Sequence, residues 1–326
     1  FGGTSTELAY RCRTLKQWAG KSLLLCADVE EGLGQRFQGG TWLVPPMALG
    51  QIFKEDPEKA IALAERYGRC TGSQAKQCGL NWILAPVCDV NTNSSNPVIN
   101  VRAWGEDPWT VSTLACAFHR GLDSQGVLSC LKHFPGHGDT GVDSHIDLPV
   151  LDHDFQRLEE IELAPFRAVI AAGASSVMSG HLLLRQFDEN YPATISRLLI
   201  NKLLREYLAF DGLLVTDALV MKAISQFYGA GEAAVMAFSA GVDLILMPEN
   251  AEVAIQAICE ALLSGRVPMQ RLEQALQRRS YALEKVEVFS HSKTTKLFIV
   301  ASEELEQDED RALSEELVQS SIKIRH

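Results

Sequence analysis

The sequence predicts an α/β fold, a TIM-type (β/α)8 barrel lacking its first one or two strands in this chain, and three observations lead there. Short, nearly continuous apolar runs alternate with longer segments of helical period, as in a parallel sheet buried on both faces. Most of these runs end in a polar side chain: Asp28, Asp89, Lys132 with His133, His181 and Asp217. Polar groups drawn from the C-terminal ends of many different strands are the habit of a barrel. A doubly wound sheet would instead gather its signal behind one glycine-rich turn, and no GxGxxG follows a strand here.

Taken in order, "FGG" at the start reads as the tail of a strand. The later apolar runs are 22–28, 82–89, 126–133, 175–181, 212–217 and 242–248. Six strands are clear, so the first one or two of a full barrel are expected to be missing. Between the runs lie helical segments such as "DFQRLEEIELAPFRAVIAAG", with Gly173 suited to a C-terminal cap. After about Lys285 the character changes. "ASEELEQDEDRALSEEL" reads as an acidic helix with a solvated face, and "SSIKIRH" alternates like a strand. The expected division is a barrel domain over 1–285 and an acidic linker or helix, then the start of a further element, over 286–326.

The chain has 326 residues, ample for such a core, and a formal net charge of -11. That charge argues against general binding to nucleic acid or an anionic membrane surface. None of the eight cysteines forms a CxxC pair, and Cys26, Cys88 and Cys130 sit in apolar runs. Buried reduced thiols and a cytoplasmic setting are the expectation. No stretch is long and apolar enough to span a bilayer.

Chemistry concentrates in "KHFPGHGDTGVDSH", residues 132–145, and "FDGLLVTDALVM", residues 210–221. Asp217, ending a buried strand, suits a nucleophile on a sugar carbon, or else a cap on the following helix. A metal site would recruit His133, His137, His145 and Asp143, but their spacing matches no usual pattern and Lys132 would repel a cation. Ser144 beside His145 lacks a nucleophile elbow. The remaining reading makes Asp143 and His145 an acid/base dyad, the carboxylate orienting the imidazole for proton transfer. Gly136, Gly138 and Gly141 would let that loop swing. Arg102 could pair with Glu106 or Asp107, and Arg36 could be a solvated loop residue. His137 is read as shaping the loop, Asp89 and Asn91 as tying loops together, and His181 as either packing or contacting substrate.

"KHFPGHGDTGVDSH" resembles the signature of glycoside hydrolase family 3, in its bacterial β-N-acetylglucosaminidase (NagZ-like) branch. The likeness runs from "FGGT" to about residue 285 and includes "LLLCADVEEGLGQRF", "ILAPVCDVN", "NVRAWGEDP" and "YPATIS". The resemblance implies a retaining mechanism with Asp217 as nucleophile, His145 as general acid/base and Asp143 as its partner. Asp28, Arg36, Arg102, Lys132 and His133 match residues that hold the sugar. Departures are Glu31 and Leu33, where a glycine and an arginine are common, and Ala218, where many relatives carry an acid.

The activity this resemblance implies is that of an exo-β-N-acetylglucosaminidase acting on peptidoglycan fragments or chitin-type oligosaccharides. Its partner is a small carbohydrate, and no metal or organic cofactor is implied. The alternatives are a phosphorylase using the same site and a non-catalytic carbohydrate-binding homologue.

Overall fold

The computed structural model describes residues 2–144, 146–291 and 305–323. Among the described residues there are seven short strands: β1 Cys26–Ala27, β2 Trp82–Ile83, β3 Leu128–Phe134, β4 Val150–Leu151, β5 Ser176–Ser179, β6 Leu183–Leu184 and β7 Leu213–Thr216. The main sheet has the order β1-β2-β3-β5-β7, every pair parallel, and β4 pairs with β6 in a small separate sheet. A parallel bridge from Val215 to Leu244 brings the 242–248 run alongside β7. The main-sheet strands follow one another in chain order without reversal, as in a barrel and unlike a doubly wound sheet.

The sheet curls into a half-barrel. The Trp82 Nε1–H on β2 reaches past β3 to donate to Ser176 Oγ on β5, at 2.7 Å. Period-2 alternation then divides the side chains between two faces. Cys26, Trp82, Leu128, Cys130, Met178, Leu213 and Val215 pack into one cluster on the inner face. Ile83, Leu131, Val177 and Leu214 join the larger core outside. Continuing the inner alternation carries Cys26 to Asp28, Cys130 to Lys132 and Val215 to Asp217.

The helices are started by their own sequence. Asp56 and Asp107 each cap a helix whose first residue is proline, Pro57–Gln77 and Pro108–Ser124. In both, the carboxylate accepts an otherwise unpaired backbone N–H, while proline lacks one to satisfy. The helix Met269–His291 lies across the N-terminal ends of the strands. Its Ala282 and Val286 enter the inner cluster, its Lys285 reaches Ser175 Oγ at 2.7 Å, and its Arg278 reaches Asp211 at 2.8 Å. The opposite end, where the polar residues gather, is thereby left as the working end.

The acidic C-terminal stretch forms the expected helix with a solvated face, but it buries its other face and runs on into the anticipated strand. Residues Asp308–Lys323 form a helix, so 320–323 of the anticipated strand are helical. Leu305, Leu313 and Leu317 are buried in the main core, and Glu316 pairs with Arg66 at 2.6 Å. Each buried leucine contributes about 1.5–3 kcal/mol of transfer free energy, which a fully solvated helix would forgo. Among the described residues no helix is long and apolar enough to cross a membrane.

Candidate active site

Four charged groups interlock at the ends of β1 and β3. Lys132 Nζ lies 2.7 Å from Asp28 Oδ1 and 2.5 Å from Glu30 Oε1. Arg102 grips the same Glu30 with two bonds, Nε to Oε2 at 2.9 Å and Nη2 to Oε1 at 2.8 Å. Lys132 is 2% exposed, so its ammonium is tolerated only because it is paired. Burial works to lower the Lys132 pKa, but Asp28 and Glu30 outweigh it and hold the amine protonated well above its usual range. Burial likewise raises the Glu30 carboxyl, and Lys132 and Arg102 more than reverse that. Arg36 joins the group through Asp28, whose backbone carbonyl accepts from its Nε at 3.0 Å.

The surface alternative for Arg102 is not what the chain adopts. Glu106 pairs with Lys54, and Asp107 caps a helix. Glu30, the partner Arg102 does take, is not among the residues the sequence singles out. Its signal is its position two residues beyond Asp28, in a loop where the neighbouring Glu31 has the same chemistry.

A second network fixes His133. Asp89 is fully buried; its Oδ2 lies 2.7 Å from His133 Nδ1, while its Oδ1 accepts the backbone N–H of His133 at 3.1 Å and of His137 at 2.7 Å. Burial pushes the Asp89 carboxyl up, but His133 and these N–H donors bring it below its ordinary value. Asp89 therefore ties loops together and also orients the His133 ring. His137 shapes the loop, its ring nitrogens lying 2.6 Å from Thr140 Oγ1 and 3.1 Å from Ser144 Oγ. His181 is fully buried, against Thr194 Oγ1 at 2.7 Å and Ala218 O at 3.1 Å, and close enough to Asp217 to act on its charge.

Asp217 continues β7, its N–H donating to Ser179 O at 2.9 Å. It does not cap a helix. Its Oδ1 accepts the next N–H, that of Ala218 at 2.8 Å, and the following helical turn starts at Lys222. Desolvation raises its carboxyl, yet His133, His181, the Ala218 N–H and Lys132 together leave it below the usual carboxylate range. The group is thus an anion at neutral pH, facing the cationic end of the Lys132 cluster.

Asp143 is half-buried in the segment that follows β3, and its carbonyl accepts the N–H groups of Ile146 and Asp147. Ser144 O accepts from Ala223 N–H at 3.3 Å, bringing this segment against the turn after Asp217. His145 lies outside the described residues. The anticipated glycine hinge needs correction. A Cβ on Gly138 would sit 1.8 Å from Val90 O, and one on Gly136 would sit 2.7 Å from Glu162 Cβ. These two glycines permit close packing, whereas Gly141 has open space around it. Among the described residues no group of His, Cys, Asp and Glu side chains is arranged to hold a metal ion.

Residues 3–280 match the glycosyl hydrolase family 3 N-terminal domain. The chain belongs to glycosyl hydrolase family 3. It is 36% identical over 276 residues to β-hexosaminidase A of Pseudoalteromonas piscicida, an alignment covering 80% of this chain and 44% of that protein. The β-N-acetylglucosaminidase of a Paenibacillus species superposes with a TM-score of 0.91 at 36% identity, covering 98% of this chain and 61% of that one. NagZ of Neisseria gonorrhoeae, solved with N-trifluoroacetyl-D-glucosamine, gives 0.77 at 27% identity, covering 98% and 88%. The chain thus spans about half the length of some family 3 relatives and most of the length of others.

Proposed function

We propose that this family 3 chain carries the active site of a retaining exo-β-N-acetylglucosaminidase. The observation that carries the reading is the Asp217 carboxylate, held ionised at the end of β7 on the inner face that also presents Lys132. In this reading Asp217 attacks the anomeric carbon and forms a glycosyl-enzyme ester. His145, oriented by Asp143, protonates the leaving oxygen and then deprotonates the incoming water. Asp28, Arg36, Arg102, Lys132 and His133 hold the sugar, so that binding energy becomes orientation at the reacting carbon. The substrate class is terminal non-reducing N-acetylglucosamine on peptidoglycan fragments or chitin-type oligosaccharides.

Water, not phosphate, is the acceptor this geometry favours. Lys132, Arg102 and Arg36 are already matched in number by Asp28, Glu30 and Asp217, so the site offers little surplus positive charge to an anion. Product release that depends on added phosphate would reverse this choice. The nucleophile is tested by trapping with a 2-fluoro sugar or related slow substrate, followed by peptide mapping. Label on Asp217 is expected. Label elsewhere, with Asp217→Asn fully active, would overturn the mechanism. Absence of turnover with sugar binding retained would favour the non-catalytic alternative.

A further inference from the structure

Residues 135–149 join β3 to β4 and include Asp143. One side of this segment is pinned by the loop after β2. Asn96 Nδ2 donates to the carbonyls of His137 at 2.9 Å and Gly138 at 3.0 Å, and Asn93 Nδ2 donates to Thr140 O at 3.3 Å. The other side is met by the helical stretch that begins at Phe155. There the Asp139 carboxylate lies 3.6 Å from Arg157 Nη2 and 3.3 Å from His153 Nε2.

Arg157 is itself firmly held. Its Nε and Nη2 donate to Glu162 Oε1 at 3.1 and 3.0 Å, and its Nη2 also reaches Thr92 Oγ1 at 3.2 Å. Glu162 is 2% exposed and packs against Gly136, where no side chain could be accommodated without a shift. One guanidinium therefore touches three elements: the loop after β2, the segment after β3 and its own helix. The planar fork is fixed in direction and distance by Glu162, which sets where its charge stands against Asp139.

We propose that Arg157 is a positioning residue for the acid/base segment, acting through Asp139, four residues ahead of Asp143. The inference rests on the proposed acid/base role of Asp143 and His145. Arg157 and Asp139 need not touch the sugar: they set where the segment leaves the barrel, and so where the proton donor stands.

The test compares kcat/KM on two N-acetylglucosaminides. One is an aryl glycoside whose acidic phenol leaves without protonation; the other is a disaccharide whose sugar alcohol needs it. Asp139→Asn and Arg157→Ala are expected to lower kcat/KM about ten-fold on the disaccharide and no more than about two-fold on the aryl glycoside. Arg157→Lys, which keeps the charge, should recover part of the loss. Equal loss on both substrates would make the pair merely structural and overturn the proposal, as would no loss on either. Asp139 is 29% exposed in its side chain, so its amide variant is expected to fold even if Arg157→Ala does not. His145→Ala measured alongside separates the two claims. If it shows no preference between substrates the acid/base assignment fails, while selective loss in the other variants would still locate the donor on this segment.

Discussion

The proposed sugar clamp and the proposed acid/base segment start from the same strand, β3, and are built on opposite principles. At the clamp, Lys132 is 2% exposed and is satisfied by two carboxylates, one of them shared with Arg102. A few residues later the chain emerges, and Val142 and Ile146 are 43% and 65% exposed. Groups that only bind can be locked by burial and mutual charge. The segment that carries Asp143 puts Val142 and Ile146 nearer to solvent and is held at its base by neighbouring loops. If the proposed roles hold, substitutions in the clamp should act first on stability and substitutions in the segment first on rate.

The largest expected effect comes from removing the shared carboxylate. Glu30→Gln leaves the buried Lys132 and the partly buried Arg102 with one exposed partner, and breaking such a buried ion pair costs about 3–5 kcal/mol. Urea denaturation should show it. Asp28→Asn is the control, because Asp28 is 47% exposed in its side chain. There the stability loss should stay within about 1 kcal/mol, with the damage appearing in kcat/KM. Equal destabilisation by the two variants would break the contrast between buried and exposed partners.

Next in size is a pH effect at the junction of the two regions. Burial, with the adjacent His133, pushes the His137 imidazole down from 6.5 to about 4. Above pH 6.5 both folded and unfolded states are neutral there, and the group has no effect. As pH falls below 6.5 the unfolded chain takes up a proton that the folded one refuses, so stability declines until about pH 4. The drop corresponds to roughly 3 kcal/mol. Between pH 6.5 and 5 the wild type should lose stability faster than His137→Gln, as read from urea midpoints. Parallel pH slopes would remove His137 as the cause.

Much of this organisation is legible in the sequence because each strand announces its end. An apolar run closing on Asp28, Lys132 or Asp217 needs no long-range information, and alternation by two residues puts their side chains on one face. Glu30 is harder. It lies beyond the strand, beside another glutamate, and only the fold tells which of the two turns inward. The C-terminal helix reads as solvated because its acids dominate the composition, though Leu313 and Leu317 stand four apart, as one helix face requires. The hinge reading fails at Gly136 and Gly138 for a related reason. Glycine in a sequence signals freedom and close approach alike, and only the neighbours distinguish them.

The smallest effects test that distinction directly. Gly138→Ala places a methyl group 1.8 Å from Val90 O, so the backbone of the segment must move away from the loop after β2. Overpacking of this kind costs about 1–3 kcal/mol, and the shift should carry through to kcat/KM because Asp143 lies five residues on. Gly141→Ala meets nothing within 4 Å, and should change stability by no more than about 0.5 kcal/mol. If motion at Gly141 governs turnover, this silent substitution will still slow kcat while leaving the urea midpoint unchanged. If kcat is also unchanged, the segment works from a position set at its packed base, between Asn96 on one side and Arg157 on the other.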